Sequence, residues 1–167
     1  MSRGNVRTAT EADLPAITRI YNYYIENSPA TFDLVPFDWH DRREWFAQFD
    51  ISGRYRILVA TNDEGDVTGY AYSAQFRGRA AYDGSIETSV YLDPEATGGG
   101  TGSALYAALF DSLTDAGIHR VFAGIAMPND ASVALHSKFG FTKVGVFSEA
   151  GFKFGRYHDV LWMEKVF

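Results

Sequence analysis

Residues 93–113 read DPEATGGGTGSALYAALFDSL, with glycine at Gly98, Gly99 and Gly100, then Thr101 and Gly102, then an apolar run. Glycine ahead of a helix costs up to about 1 kcal/mol per residue relative to alanine. Two arrangements would offset that cost: a bare turn, or a ligand that must come very close to the main chain. The run itself places Leu105, Ala108, Leu109 and Leu113 on one face and is closed by Gly117. A helix from about Gly102 to Ala116 is therefore expected.

Upstream, SIETSVYLDP (85–94) reads as a strand stopped at Pro94, and RYRILVATN and DVTGYAYSAQF as a hairpin around DEGD. At the start, a short strand near Val6–Thr8 precedes Thr10, a candidate N-cap with Asp13 in the first turn. Leu14, Ile17, Ile20, Tyr21, Tyr24 and Ile25 then recur at helical spacing until Asn27, Ser28 and Pro29 stop the helix. FDWHDRREWFAQF (37–49) has the pattern of a second amphipathic helix. Downstream come a strand (RVFAGIAM), a short helix (NDASVALHSKFG) and two final strands (TKVGVFS and YHDVLWMEKVF). The order is β-α-α-β-β-β-α-β-α-β-β, a mixed α/β layout in one domain spanning 1–167.

A chain of 167 residues with 46% hydrophobic and 16% aromatic residues can bury a sizeable core. Its net charge is −6 with no basic stripe, which argues against nucleic acid as the main partner. No apolar run approaches the ~20 residues of a membrane span, and MSRGNVRTATEADLP lacks a signal peptide's apolar stretch. No membrane association and a cytoplasmic location are the expectations. The absence of cysteine excludes disulfides, thiolate metal sites and a cysteine nucleophile. His40, His119 and His158 have no ligand spacing, so no metal is expected.

Three phosphate-cradling motifs compete for the glycines. A P-loop needs Gly-Lys-Ser/Thr, and no lysine follows Gly102. Gly98, Gly100 and Ser103 only approximate the G-x-G-x-x-G of dinucleotide folds. The third is the Q/R-x-x-G-x-G/A turn of the GNAT family of N-acetyltransferases, which use acetyl-CoA. Thr97 to Gly102 resembles it at both required glycines and departs at Thr97, where that family prefers glutamine or arginine. PNDASVALHSKFGF resembles the family's Asn-containing helix, with His136 where tyrosine is usual. YIENSPATF, FRGRAAYDGSIETSVYL, MPNDASVALHSKFGF and EAGFKFGRYHDV are together similar to the phosphinothricin and methionine sulfoximine acetyltransferase subgroup.

That resemblance implies a GNAT fold, with a central, mostly antiparallel mixed sheet and helices on both faces. It implies that Gly98, Gly99, Gly100, Thr101, Gly102 and Ser103 seat the pyrophosphate of coenzyme A on free backbone N–H groups. It makes Glu87 the general base that takes a proton from the acceptor amine, in a protein whose lack of cysteine favours direct attack. The bland alternative is a solvated strand glutamate. His136 takes the place of the family's thiolate-protonating tyrosine; otherwise it is a structural histidine. Asn129 would bond the pantetheine arm, or simply cap the DASVALH helix. Val90 and Leu92 would offer strand backbone to the same arm. Arg77 and Arg79, with Tyr82, suit a carboxylate or phosphinate on an amino-acid substrate, with Phe32 walling the side-chain pocket. Their alternative is an exposed loop. Subgroup likeness also implies a homodimer, with GFKFGRY at its interface. The expected activity is acetyl transfer to phosphinothricin-like amino acids. Its rivals are another small amine, a protein N-terminus, or an acyl-CoA-binding module without catalysis.

Overall fold

Apolar residues alternate with period two along the expected strands, and the structure, a computed structural model that describes residues 5–167, assembles them into one seven-stranded sheet. The strands are β1 (Asn5–Thr8), β2 (Ile57–Thr61), β3 (Val67–Gln75), β4 (Ser85–Leu92), β5 (Arg120–Ala126), β6 (Thr142–Lys153) and β7 (Arg156–Val166). Their order in space is β1-β2-β3-β4-β5-β7-β6, and every neighbouring pair is antiparallel except β4 with β5. β2 is buried along its whole length because helices cover both faces of this part of the sheet.

On one face, helix α1 (Leu14–Asn27) packs Ile17 and Ile20 against Val59 and Tyr70. On the other, helix α3 (Thr101–Ser112) packs Leu105, Tyr106 and Leu109 against Ala60, Ala71 and Val121. Each fully buried leucine contributes about 1.5–3 kcal/mol, so these two stripes fix which face each helix takes. The fold class, element order and helices on both faces agree with the expectation. At the N-terminal end, Asp13 accepts from the Thr10 backbone N–H at 2.8 Å and from both terminal nitrogens of Arg7. The guanidinium holds its carboxyl below the usual range.

Three expected elements differ in extent. The segment expected to be a second helix at 37–49 forms a 3₁₀ turn (Trp39–Arg42) and one short turn of helix α2 (Arg43–Phe46). Arg42 turns inward there, its guanidinium stacked on Trp45 at 3.9 Å and on Tyr21 at 4.5 Å, which sets the path of the segment. Helix α3 stops at Ser112; Leu113–Ala116 continue as hydrogen-bonded turns into Gly117, whose φ is +68°. β6 runs five residues beyond TKVGVFS, to Lys153, because GFKFGRY forms the end of the β6–β7 hairpin.

β4 and β5 pair only over Ser85–Glu87 with Arg120–Phe122 and then part. Beyond that point the β5-facing backbone of Thr88–Leu92 has no strand partner among the described residues. Helix α4 (Asp130–Lys138), which follows β5, lines the resulting cleft. No helix among the described residues is long and apolar enough to cross a membrane.

Candidate active site

The opening between β4 and β5 holds a cavity of about 280 Å³ lined by Thr88–Leu92, Ala123–Ala126, Thr97, Gly98 and the inner side of α4. Side chains alternate along β4, so one strand serves two faces. Thr88, Val90 and Leu92 turn toward α3, whereas Glu87, Ser89 and Tyr91 turn toward α1. Val90 and Leu92 both border the cleft; the Leu92 carbonyl already accepts the Tyr24 hydroxyl at 2.7 Å.

At the cleft mouth Gly98 has φ +82°, and Gly100 caps α3 with φ +84°, the left-handed region that favours glycine. A Cβ placed on Gly98, Gly99 or Gly100 would meet nothing within 4 Å. Packing therefore does not require three bare residues here. The turn exposes main chain at the N-terminal end of α3, where the N–H groups of Thr101, Gly102 and Ser103 precede the first intrahelical acceptor, Gly100 O. Such an arrangement is able to hold an anionic group that approaches the backbone closely. Thr97 contributes nothing toward it, since its hydroxyl donates back to Pro94 O at 3.3 Å. Lys138, which the sequence reading missed, donates to Ser103 Oγ at 2.9 Å and brings a cation beside the same turn.

Asn129 caps α4, its Oδ1 accepting from the Ser132 N–H at 3.1 Å, and it also lines the cleft. His136 is 3% exposed, with both ring nitrogens engaged. A carbonyl can only accept, so Nδ1 carries the proton it donates to Ser132 O at 2.7 Å, and Nε2 accepts from the Tyr106 hydroxyl at 2.9 Å. Burial lowers its pKa and favours this neutral ring. The engagement is that of the structural alternative, although the residue sits on the cleft wall. Its partner Tyr106, fully buried on α3, has its pKa raised by burial.

Glu87 lies where the strands separate, opposite Phe122 of β5 and Ala74 of β3. It is half-buried, and desolvation raises its pKa above the ordinary carboxylate value while the nearby Arg77 pulls it back. Around it, Phe76 stacks on Phe122 at 4.3 Å, and Arg77 lies over the Phe76 ring at 4.9 Å. Tyr82 meets Phe76 edge-on at 5.9 Å. Arg77 and Tyr82 thus gather beside Glu87, and Arg79 stands exposed in the same loop, preceding the 3₁₀ turn Ala80–Tyr82.

Phe32 belongs to a separate cluster. Its ring rests on Gly151, whose missing Cβ makes room for it, and lies 6.3 Å from His158. The ammonium of Lys153 ties this segment down by donating to the carbonyls of Tyr24, Ser28 and Thr31. Lys153 is a second residue missed from the sequence. Its charge was readable, but not that it turns inward from a strand exposed along most of its length.

A family model described as an acetyltransferase (GNAT) domain matches residues 6–162. A phosphinothricin N-acetyltransferase of Streptomyces coelicolor is 48% identical over 161 residues, covering 96% of this chain and 94% of the relative. An L-methionine sulfoximine/L-methionine sulfone acetyltransferase of Pseudomonas aeruginosa is 37% identical, with 96% and 92% covered. Among solved structures, a GNAT superfamily phosphinothricin acetyltransferase from Sinorhizobium meliloti in complex with acetyl-CoA aligns with a TM-score of 0.93. It is 37% identical, with 99% of this chain and 89% of that one covered.

Proposed function

The chain belongs to the GNAT acetyltransferases, and on that premise we propose that it transfers acetyl from acetyl-CoA to the α-amino group of phosphinothricin-like amino acids, phosphinothricin and methionine sulfoximine. The observation that carries this reading is the place of Glu87. It is a half-buried carboxyl of raised pKa at the point where β4 leaves β5, next in the chain to Thr88 of the cleft wall and within electrostatic reach of Arg77.

Each group then has a task. Gly98–Ser103 seat the pyrophosphate on backbone N–H groups, with Lys138 adding charge beside Ser103. The unpaired edge of β4 at Val90, and Asn129 across the cleft, hold the pantetheine arm, so the thioester lies against the opening beside Glu87. Glu87 accepts a proton from the substrate ammonium, directly or through water. The freed nitrogen bonds to the thioester carbonyl carbon and sheds its second proton to solvent water, the carbon–sulfur bond breaks, and the thiolate leaves to take up a proton. With both His136 nitrogens engaged inside the protein, water supplies that proton, and His136 with Tyr106 fixes the cleft wall. Arg77 and Arg79 take the substrate's anionic groups.

The test is thiol release from acetyl-CoA with phosphinothricin, methionine sulfoximine, other amino acids, polyamines and N-terminal peptides. Turnover confined to the amino-acid analogues is expected. Preference for polyamines or peptides would replace the substrate class, and binding of acetyl-CoA without turnover on any amine would replace catalysis by an acyl-CoA-binding role.

The same reading includes a homodimer acting in the cytoplasm, where acetyl-CoA is an intracellular metabolite. Support for the dimer comes from the outer strand pair, which exposes Val144, Val146, Phe152, Phe154 and Tyr157 together. Light scattering should give twice the chain mass, and Phe152→Asp should return it to one chain.

A further inference from the structure

Aromatic side chains border Glu87 on the face opposite α3, and among them one polar atom is unused. Trp162 of β7 stands directly across from Gly124 of β5, and its ring lies over that glycine. A Cβ at Gly124 would come within 3.2 Å of the indole carbons Cζ2 and Cη2. The ring meets Phe76 edge-on at 6.2 Å and Phe147 at 5.8 Å. Phe76 in turn stacks on Phe122, the β5 residue paired with Glu87. An aromatic floor therefore leads from the base to the indole. The Trp162 Nε1–H is shut from solvent and has no hydrogen-bond acceptor among the described residues. A phenyl ring would cover Gly124 without leaving a donor unpaired.

We propose that Trp162 is a specificity-determining residue whose indole N–H receives an oxygen at the far end of the acceptor's side chain. This rests on the amino-acid reading given above and adds the chemical feature that is recognised. Glu87 and Trp162 are two strands apart and offset by two residues along β5, about 12 Å between backbones, and both side chains point to the same face. An acceptor whose amine meets Glu87 lays a side chain of three or four atoms along Phe122 and Phe76 and ends at the indole. The group that fits is apolar along its length and ends in an oxygen that accepts but carries no proton, as in a sulfone, sulfoximine or phosphinyl group. Arg77, over the other side of Phe76, is left for the negative charge. Phe147, whose ring lies 5.8 Å from the indole, is 55% exposed on the outermost strand next to a shift in the β6–β7 register.

Methionine sulfone and methionine have the same skeleton and differ in the two oxygens, so they isolate this contact. In Trp162→Phe, the kcat/KM ratio of sulfone to methionine should fall about tenfold, the loss of one hydrogen bond, while KM for acetyl-CoA stays within about twofold. In the unmutated protein, the indole N–H resonance missing from Trp162→Phe should move on adding the sulfone and stay in place on adding methionine. Equal losses for the two substrates, or a resonance indifferent to the sulfone, would leave Trp162 as packing and overturn the inference while the acetyltransferase reading stands. Failure of the wild type to acetylate any amino acid would instead remove the reading on which the inference depends.

Discussion

The glycine turn at 98–102, which starts α3, and the aromatic bowl around Glu87, where Phe76, Phe122 and Trp162 meet, lie on opposite faces of β4 and are built in opposite ways. The turn works by what it lacks. Two of its residues hold positive φ, and a Cβ on Gly98, Gly99 or Gly100 would face open space. The bowl works by side chains brought from afar: Phe76 after β3, Glu87 on β4, Phe122 on β5 and Trp162 on β7. A site made of backbone writes a local signature into the sequence; a site made of side chains from four segments does not.

The sharpest way to break that contrast is to remove the one bowl residue assigned to the chemistry. Glu87→Gln should lower kcat/KM by about 10²–10⁴-fold at neutral pH, the usual contribution of a positioned base. The raised pKa gives the sign. The wild type gains activity with rising pH through a limb above the ordinary glutamate range, and the variant loses that limb. Stability should move the other way. A carboxyl whose folded pKa is raised stabilises only at low pH and loses that contribution as pH rises through the folded value, so the glutamine variant should melt no lower than wild type at neutral pH. An unchanged pH–rate profile would hand the proton to water.

Second in size are the arginines. Arg77→Met or Arg79→Met should weaken the amino-acid substrate by about ten- to a hundredfold, the worth of a charge-assisted hydrogen bond, and spare acetyl-CoA. Decarboxylated analogues should already be poor substrates and suffer less. Equal use of amino acids and their decarboxylated amines by the wild type would remove the clamp.

The turn is probed next. Gly99 has no positive φ and its Cβ would meet nothing, so Gly99→Val adds only an obstacle to whatever approaches the backbone. KM for acetyl-CoA should rise about tenfold, the cost of one displaced charge-assisted contact, with the melting temperature unchanged. Gly100→Val should raise KM too, but with a lower melting temperature, since the left-handed conformation costs an L-residue about 1–2 kcal/mol. Normal cofactor affinity in both would remove the phosphate seat.

How much was legible follows the same division. The order of strands and helices was readable because apolar periods of two and 3.6 are local, and the glycines stood out because φ at Gly98 and Gly100 is a property of single residues. The 37–49 segment misled because Arg42, polar by type, packs inward against Trp45 and Tyr21, which breaks the amphipathic pattern. His136 could be located but not interpreted: its partner Tyr106 lies thirty positions away on another helix. Glu87 drew attention only through resemblance, since nothing local distinguishes a half-buried strand glutamate from a solvated one. Lys153 and Trp162 were silent for the same reason. Both sit on the hairpin strands, and their roles depend on what the sheet brings alongside.

The smallest effect tests whether side chains add anything at the glycine end. Thr97 occupies the position where the family prefers glutamine or arginine, and its hydroxyl turns back to Pro94. The residue is exposed, so Thr97→Arg should fold normally and place a guanidinium at the mouth of the cleft. An exposed charge pair is worth only about 0.2–1 kcal/mol, so KM for acetyl-CoA should fall about two- to threefold at low salt. The gain should vanish toward 1 M salt, where the Debye length is about 3 Å. A gain that survives salt would mean that arginine reorganises the turn, and the seat would then owe part of its shape to side chains. No gain at any salt would mean that Lys138, already bonded to Ser103, supplies the charge the turn can use. In that case Lys138→Met should cost more in KM than Thr97→Arg gives back, and the apparent gap in the motif would be filled from α4 rather than from position 97.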